Sequence, residues 1–148
     1  MEDPTSLIVH LLQASKSVHA ELTNLCVESN VSADEYIILD ALVRFEELSM
    51  LELAGHVTIS GATLTRVVDK LVSKALVYRA LSPVDRRQIR VRLAPLGHQV
   101  HDEVRPRVAE LGLDVATALT SSQDHETSAH EMLRMLHSRP SRKHPSTP

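Results

Sequence analysis

Cysteine, aromatic residues and glycine are all scarce in this 148-residue chain, and tryptophan is absent. The single cysteine, Cys26, excludes an intramolecular disulfide and a cysteine-rich zinc site. Phe45, Tyr36 and Tyr78 are the only aromatic side chains, so the core must be aliphatic. That scarcity also disfavours binding of single-stranded nucleic acid by stacking platforms. The four glycines are scattered and form no phosphate loop, and no nucleophile motif surrounds a serine. We therefore read the chain as no enzyme, with no cofactor. No apolar run reaches the roughly 18–20 residues of a membrane span, and no signal peptide opens the chain. The expectation is a soluble, cytoplasmic protein without a membrane partner. The length suits one domain with a sizeable core, and 43% hydrophobic residues is ordinary for one.

What is present is an uneven charge distribution. Residues 60–93 carry eight Lys/Arg and two acids, a net +6, whereas residues 1–59 sum to −8 and residues 94–148 to −1. The near-neutral whole hides one cationic segment, the footprint of a surface for nucleic acid. On a helical wheel Leu64, Val67, Val68, Leu71, Val72 and Ala75 share one face. Ala62, Thr63, Arg66, Asp69, Lys70 and Ser73 share the other, mixing small residues, hydroxyls and cations suited to phosphates and base edges. SPVDRRQ then turns the chain into IRVRL, where Ile89, Val91 and Leu93 alternate with Arg90 and Arg92. This spacing predicts a hairpin with one apolar and one cationic face.

In chain order, Leu7, Leu11, Val18, Leu22 and Leu25 recur at helical spacing from Thr5 to about Glu28. Two capping boxes follow, from Ser32 to Glu35 and from Ser49 to Glu52, each opening a helix. Ser60 is the expected N-cap of the next helix. A short helix, a turn and a longer helix make a helix-turn-helix, and the hairpin after it makes the unit a winged helix. Pro95 opens a further helix bearing Leu96, Val100, Val104, Val108, Leu111 and Val115, kinked by Pro106. Thr120, Ser121 and Ser122 cap a last helix with Met132, Leu133 and Leu136. The fold class is thus mainly α with a small β-hairpin wing. Its parts are an N-terminal dimerisation helix (5–30), a DNA-binding lobe (31–94), C-terminal dimerisation helices (95–137) and a disordered basic tail (138–148). Leu7, Leu11, Leu111, Leu119, Met132 and Leu136 are the expected dimer contacts, because the outer helices carry more apolar surface than a small winged helix buries.

This arrangement resembles the MarR family of bacterial regulators. The most specific stretch is D-R-R-Q-I-R-V-R-L, from Asp85 to Leu93, followed by A-P-L-G; it is similar to the family's wing signature. Glu52 to Val77 is similar to the family's helix-turn-helix. The resemblance implies that the helix from Gly61 to Lys74 enters the major groove of double-stranded DNA, with Thr63, Thr65 and Arg66 at its contacting end. Ser60, Gly61, Ala62, Lys70 and Arg90 complete the expected surface. It further implies that Arg87 reaches the minor groove, Asp85 holds it, and Arg86 approaches the backbone. Ala75 stands where the family has a glycine closing the helix, and a left-handed cap there would be strained by about 1 kcal/mol. Ala94 replaces the usual threonine.

By the same resemblance, the chain would act as a homodimeric repressor on a pseudo-palindromic operator, released by a small, aromatic effector. Tyr36, His10 and His19 are candidates for its site. The alternatives are a metal- or oxidant-responsive regulator of the same fold, or a winged helix used as a protein-interaction module. His98 and His101, three apart on a helix, could share a face, but no spacing fixes a third ligand. Cys26 has only acidic charged neighbours in sequence, which favours an inert thiol.

Overall fold

The computed structural model describes residues 4–119 and Leu133. The expectations for Thr120 to Ser122, Met132, Leu136 and the tail lie outside the described residues. The elements run α1 (Pro4–Cys26), a 3₁₀ turn (Val27–Ser29), α2 (Ala33–Phe45), β1 (Glu47–Ser49), α3 (Met50–His56), α4 (Gly61–Ser73), β2 (Val77–Leu81), β3 (Ile89–Leu93) and α5 (Pro95–Leu119).

Local chemistry sets the helix starts. Ser32 Oγ accepts from the Glu35 N–H at 3.1 Å, and Glu35 Oε2 accepts from the Ser32 N–H at 2.8 Å. Ser49 and Glu52 form the same reciprocal pair. Each box satisfies donors that the first turn of a helix leaves orphaned.

The hairpin is one strand richer than the alternation suggests. β1 pairs antiparallel with β3, giving the order β1-β3-β2, with Leu48 opposite Val91. Three residues show no period, so this strand was invisible as a pattern. On β3, Val91 and Leu93 are buried, but Ile89, opposite Leu81 near the tip, is exposed. The apolar face therefore ends before the wing does.

Leu64, Val68 and Leu71 of α4 pack into an aliphatic core with Ile38, Leu39 and Leu42 of α2, Leu53 of α3 and Val104 of α5. Val72 and Ala75 lie outside the buried face, contrary to the wheel. The stripe narrows because the helix ends there. Ala75 turns to φ 57, its N–H donates to Val72 O at 3.0 Å, and the Leu76 N–H donates to Leu71 O at 3.0 Å. This is a Schellman cap with alanine in the left-handed position; the departure from glycine is absorbed as strain. Leu96 of α5 is likewise exposed, whereas Val100 and Val108 pack on the core. α5 continues through Pro106. It crosses from one compact unit, Met1–Val108, into a second that begins at Ala109.

Gly97 is the glycine the packing requires. A Cβ there would lie 2.0 Å from the Leu76 carbonyl oxygen. That same oxygen accepts from the Ala94 N–H at 3.0 Å. The exit of α4 and the entry of α5 thus meet backbone to backbone.

Candidate nucleic-acid interface

The first turn of α4 is open. Ser60 holds the N-cap position, but its hydroxyl donates to Thr63 Oγ1 at 3.1 Å instead of capping a backbone N–H. The first intrahelical bond runs from the Leu64 N–H to Ser60 O. The amides of Gly61, Ala62 and Thr63 therefore face outward as the free donors of a helix N-terminus, where an anion is favoured. Gly61, Ala62, Thr65 and Arg66 are exposed around them, and Thr65 Oγ1 donates to Gly61 O at 3.2 Å.

Most cations of the basic segment are committed elsewhere. Lys74 Nζ lies 2.8 Å from the buried Glu35 and donates to Asn30 O at 2.7 Å. Lys70 lies 3.6 Å from the other oxygen of Glu35, and Arg79 pairs with Asp69 at 2.6 Å. Arg90 pairs with Glu52, and Arg92 with Glu47. The cationic strand face inferred from alternation is thus neutralised. The acids come from β1 and α3, which the sequence places outside the basic segment. Among the described residues, Arg66, Arg86 and Arg87 are the cations of this segment left without a carboxylate partner.

The wing tip carrying two of them is built by Ser82, which sequence reasoning passed over. This buried serine accepts from the N–H groups of Val84 and Asp85 at 3.3 Å each. Its own N–H donates to Gln88 O at 2.9 Å. Asp85 was expected to grip an arginine side chain. Its Oδ1 instead accepts from the backbone N–H of Arg87 at 3.0 Å, while its carbonyl accepts from Gln88 N–H at 2.9 Å. The carboxylate fixes the main chain of the turn and leaves both guanidiniums outside. Val84, 95% exposed, stands at the same tip.

The proposed effector residues do not converge. Tyr36 is buried and stacks on His101, ring centroids 5.4 Å apart. His101 lies 3.2 Å from Asp40 and 3.4 Å from Asp102. Burial, then the nearby Asp40 carboxylate, pushes the Tyr36 hydroxyl up to about 12. His19 pairs with Asp34 at 3.1 Å on the surface, and His10 is exposed on α1. A cavity of about 280 Å³ instead opens beside Ile37, Asp40, Ala41, Arg44, Phe45 and His56, where the Phe45 and His56 rings stack 4.1 Å apart. His98 lines a different cavity from His101's surroundings, with Tyr78 and Arg92, so these two histidines do not share a site. Among the described residues no three His, Cys, Asp or Glu side chains gather as metal ligands. Burial raises the Cys26 thiol above its usual range, and Arg107 only partly offsets this.

Leu7, Ile8, Leu11 and Leu12 lie exposed along the first half of α1, while Leu22 packs on the core. Further along α5, Leu119 is exposed and Leu111 is half-buried. No helix among the described residues is long and apolar enough to cross a membrane.

Comparison with known proteins gives concordant results. Residues 29–88 match the model of the MarR family. The transcriptional regulator MhqR of Bacillus subtilis is 24% identical over 136 residues, covering 91% of this chain and 92% of that protein. The structure of the transcriptional regulator BldR from Sulfolobus solfataricus superposes with a TM-score of 0.75 at 26% identity, over 92% of this chain and 98% of that one. Bordetella bronchiseptica BpsR, whose DNA binding is regulated by 6-hydroxynicotinic acid, superposes at 0.73 and 23% identity, over 88% and 98%.

Proposed function

We propose that this chain, a DNA-binding transcriptional regulator of the MarR family by its match over residues 29–88 and its relatives, is a homodimeric repressor released from its operator by a small aromatic effector. The observation that carries the reading is the selective freedom of Arg66, Arg86 and Arg87. Five neighbouring cations are held by acids, and among the described residues these three are not. In this reading the start of α4 enters the major groove. Ser60, Gly61, Ala62, Thr63 and Thr65 meet phosphates and base edges, and Arg66 reads a base. Arg87 enters the minor groove, whose negative potential favours a guanidinium, and Arg86 meets the adjacent phosphate.

The partner is a second copy of the chain, seated on the exposed apolar row of α1. A row of that kind marks an interaction surface. The cavity beside Arg44 and His56 would take a small aromatic acid: the Phe45 and His56 rings offer faces for its ring, and Arg44, paired with Asp40 at 2.7 Å, would exchange that carboxylate for the ligand's. Such a ligand loosens DNA only by preferring the conformer that fits DNA poorly. BpsR, regulated by a small aromatic acid, supports this part.

The test is fluorescence anisotropy with duplexes retained from the source genome by the purified protein. Duplex binding should weaken steeply with salt, and Arg66→Ala should lower affinity for the retained duplexes more than for mixed-sequence DNA. Salt-insensitive binding, or a preference for single strands, would refute the reading.

A further inference from the structure

The pairing of Arg90 goes beyond fold stability. Arg87 stands in the turn before β3 and Arg90 on the strand itself; three residues of chain separate them, a span of at most about 10 Å. That is about one Debye length at moderate salt, so whether its charge is paired or free matters to any phosphate at the wing tip. Its side chain is nevertheless turned inward onto Glu52 of α3. There the buried Nε–H of Arg90 finds no acceptor. An arginine with an orphaned buried donor gains by swinging out to water or phosphate; the Glu52 carboxylate is what holds it. Glu52 is in turn anchored by the Ser49 N–H at 2.7 Å. That hydrogen bond, more than the arginine, keeps its carboxyl below the usual range, so it is charged at neutral pH.

We propose that Glu52 is a specificity-determining residue: it sequesters Arg90 so that the wing meets DNA through its tip alone and not as an indiscriminate cationic ribbon. The inference rests on the wing being a DNA surface, as argued above. Positive charge along a strand raises affinity for every sequence equally, whereas sequence is read by a few placed side chains. An acid that removes one backbone-seeking cation lowers non-specific binding and leaves the reading residues untouched. Glu47, paired with Arg92 two residues further from the tip, would act in the same sense more weakly.

The position allows a clean test, because glutamine also serves at the third position of a capping box. Glu52→Gln removes the charge and keeps the cap. The measurement is anisotropy of the full chain on a mixed-sequence duplex over a salt series, with thermal melts to confirm folding. Glu52→Gln should tighten mixed-sequence binding several-fold and steepen the log–log salt slope by about 0.9 for each freed arginine. Arg90→Ala alone should leave the slope unchanged, and the double variant should return to the parent's behaviour. If Glu52→Gln leaves the slope unmoved or weakens binding, Glu52 is merely structural and the proposal fails. A shallower slope in Arg90→Ala alone also overturns it, since Arg90 would already touch phosphate. Arg87→Ala distinguishes the two levels: if it changes neither slope nor affinity, the wing itself is not a DNA surface and both readings fall.

Discussion

At the scale of single residues, Asp85 separates posture from charge. A carboxylate beside phosphates opposes binding electrostatically, yet this one closes the turn that presents Arg87. Asp85→Ala should therefore weaken operator binding although it removes a negative charge. Asp85→Asn, which keeps the oxygen acceptor, should bind at least as tightly as the parent. Arg87→Ala should cost about 1–3 kcal/mol, the range for a good specific contact. Anisotropy on one operator at fixed salt checks all three; tighter binding by Asp85→Ala would mean that simple charge suffices. Tyr36 offers a pH test. Its folded-state pKa, about 12, lies above the ordinary value of 10. The neutral form is thus favoured by folding, and its stabilisation is present below pH 10 and lost as pH rises toward 12. Stability should decline over that window, and Tyr36→Phe should flatten the decline in denaturant titrations at successive pH values.

Among elements, the end of α4 shows how far sequence reasoning reaches. Helix starts were legible because capping boxes are local: Ser32 with Glu35 and Ser49 with Glu52 each lie within one turn. The winged helix-turn-helix was legible for a similar reason, since an amphipathic α4 and an alternating β3 carry their own periods. The Arg90–Glu52 and Arg92–Glu47 pairs were not, because 38 and 45 residues separate the partners. β1, which carries Glu47 to β3 and leads into α3 with Glu52, is too short to show a period. Ser82 was missed because a serine beside a proline in a turn carries no mark of its burial. Of the candidate site, then, residue types and their placement on α4 and the wing were readable, and their neutralisation was not. The alanine in the left-handed cap yields a direct expectation. Ala75→Gly should raise unfolding free energy by about 1 kcal/mol by relieving its φ of 57, net of glycine's greater freedom in the unfolded chain. An unchanged denaturation midpoint would show that the cap carries no strain.

For the whole molecule, the decisive question is the partner copy. With Leu7 67% and Leu11 40% exposed on α1, sedimentation at micromolar concentration should give twice the chain mass. Leu11→Asp should shift it toward the monomer and weaken operator binding with it, since a two-fold protein gains from two half-sites roughly 10 base pairs apart. A monomer at all concentrations, with undiminished operator affinity, would remove dimerisation from the picture.

Leu76 carries a consequence for the timing of motion. Its N–H closes the cap of α4, its carbonyl takes the N–H of Ala94, and Gly97 lets α5 crowd against that carbonyl. No slack separates the three, so the end of α4 and the root of α5 should open as one unit. In hydrogen–deuterium exchange the Leu76 and Ala94 amides should then share one slow rate. Gly97→Ala, which forces the two backbones apart, should quicken both together. An exchange profile in which Ala94 loosens while Leu76 stays protected would show that α4 keeps its own clock.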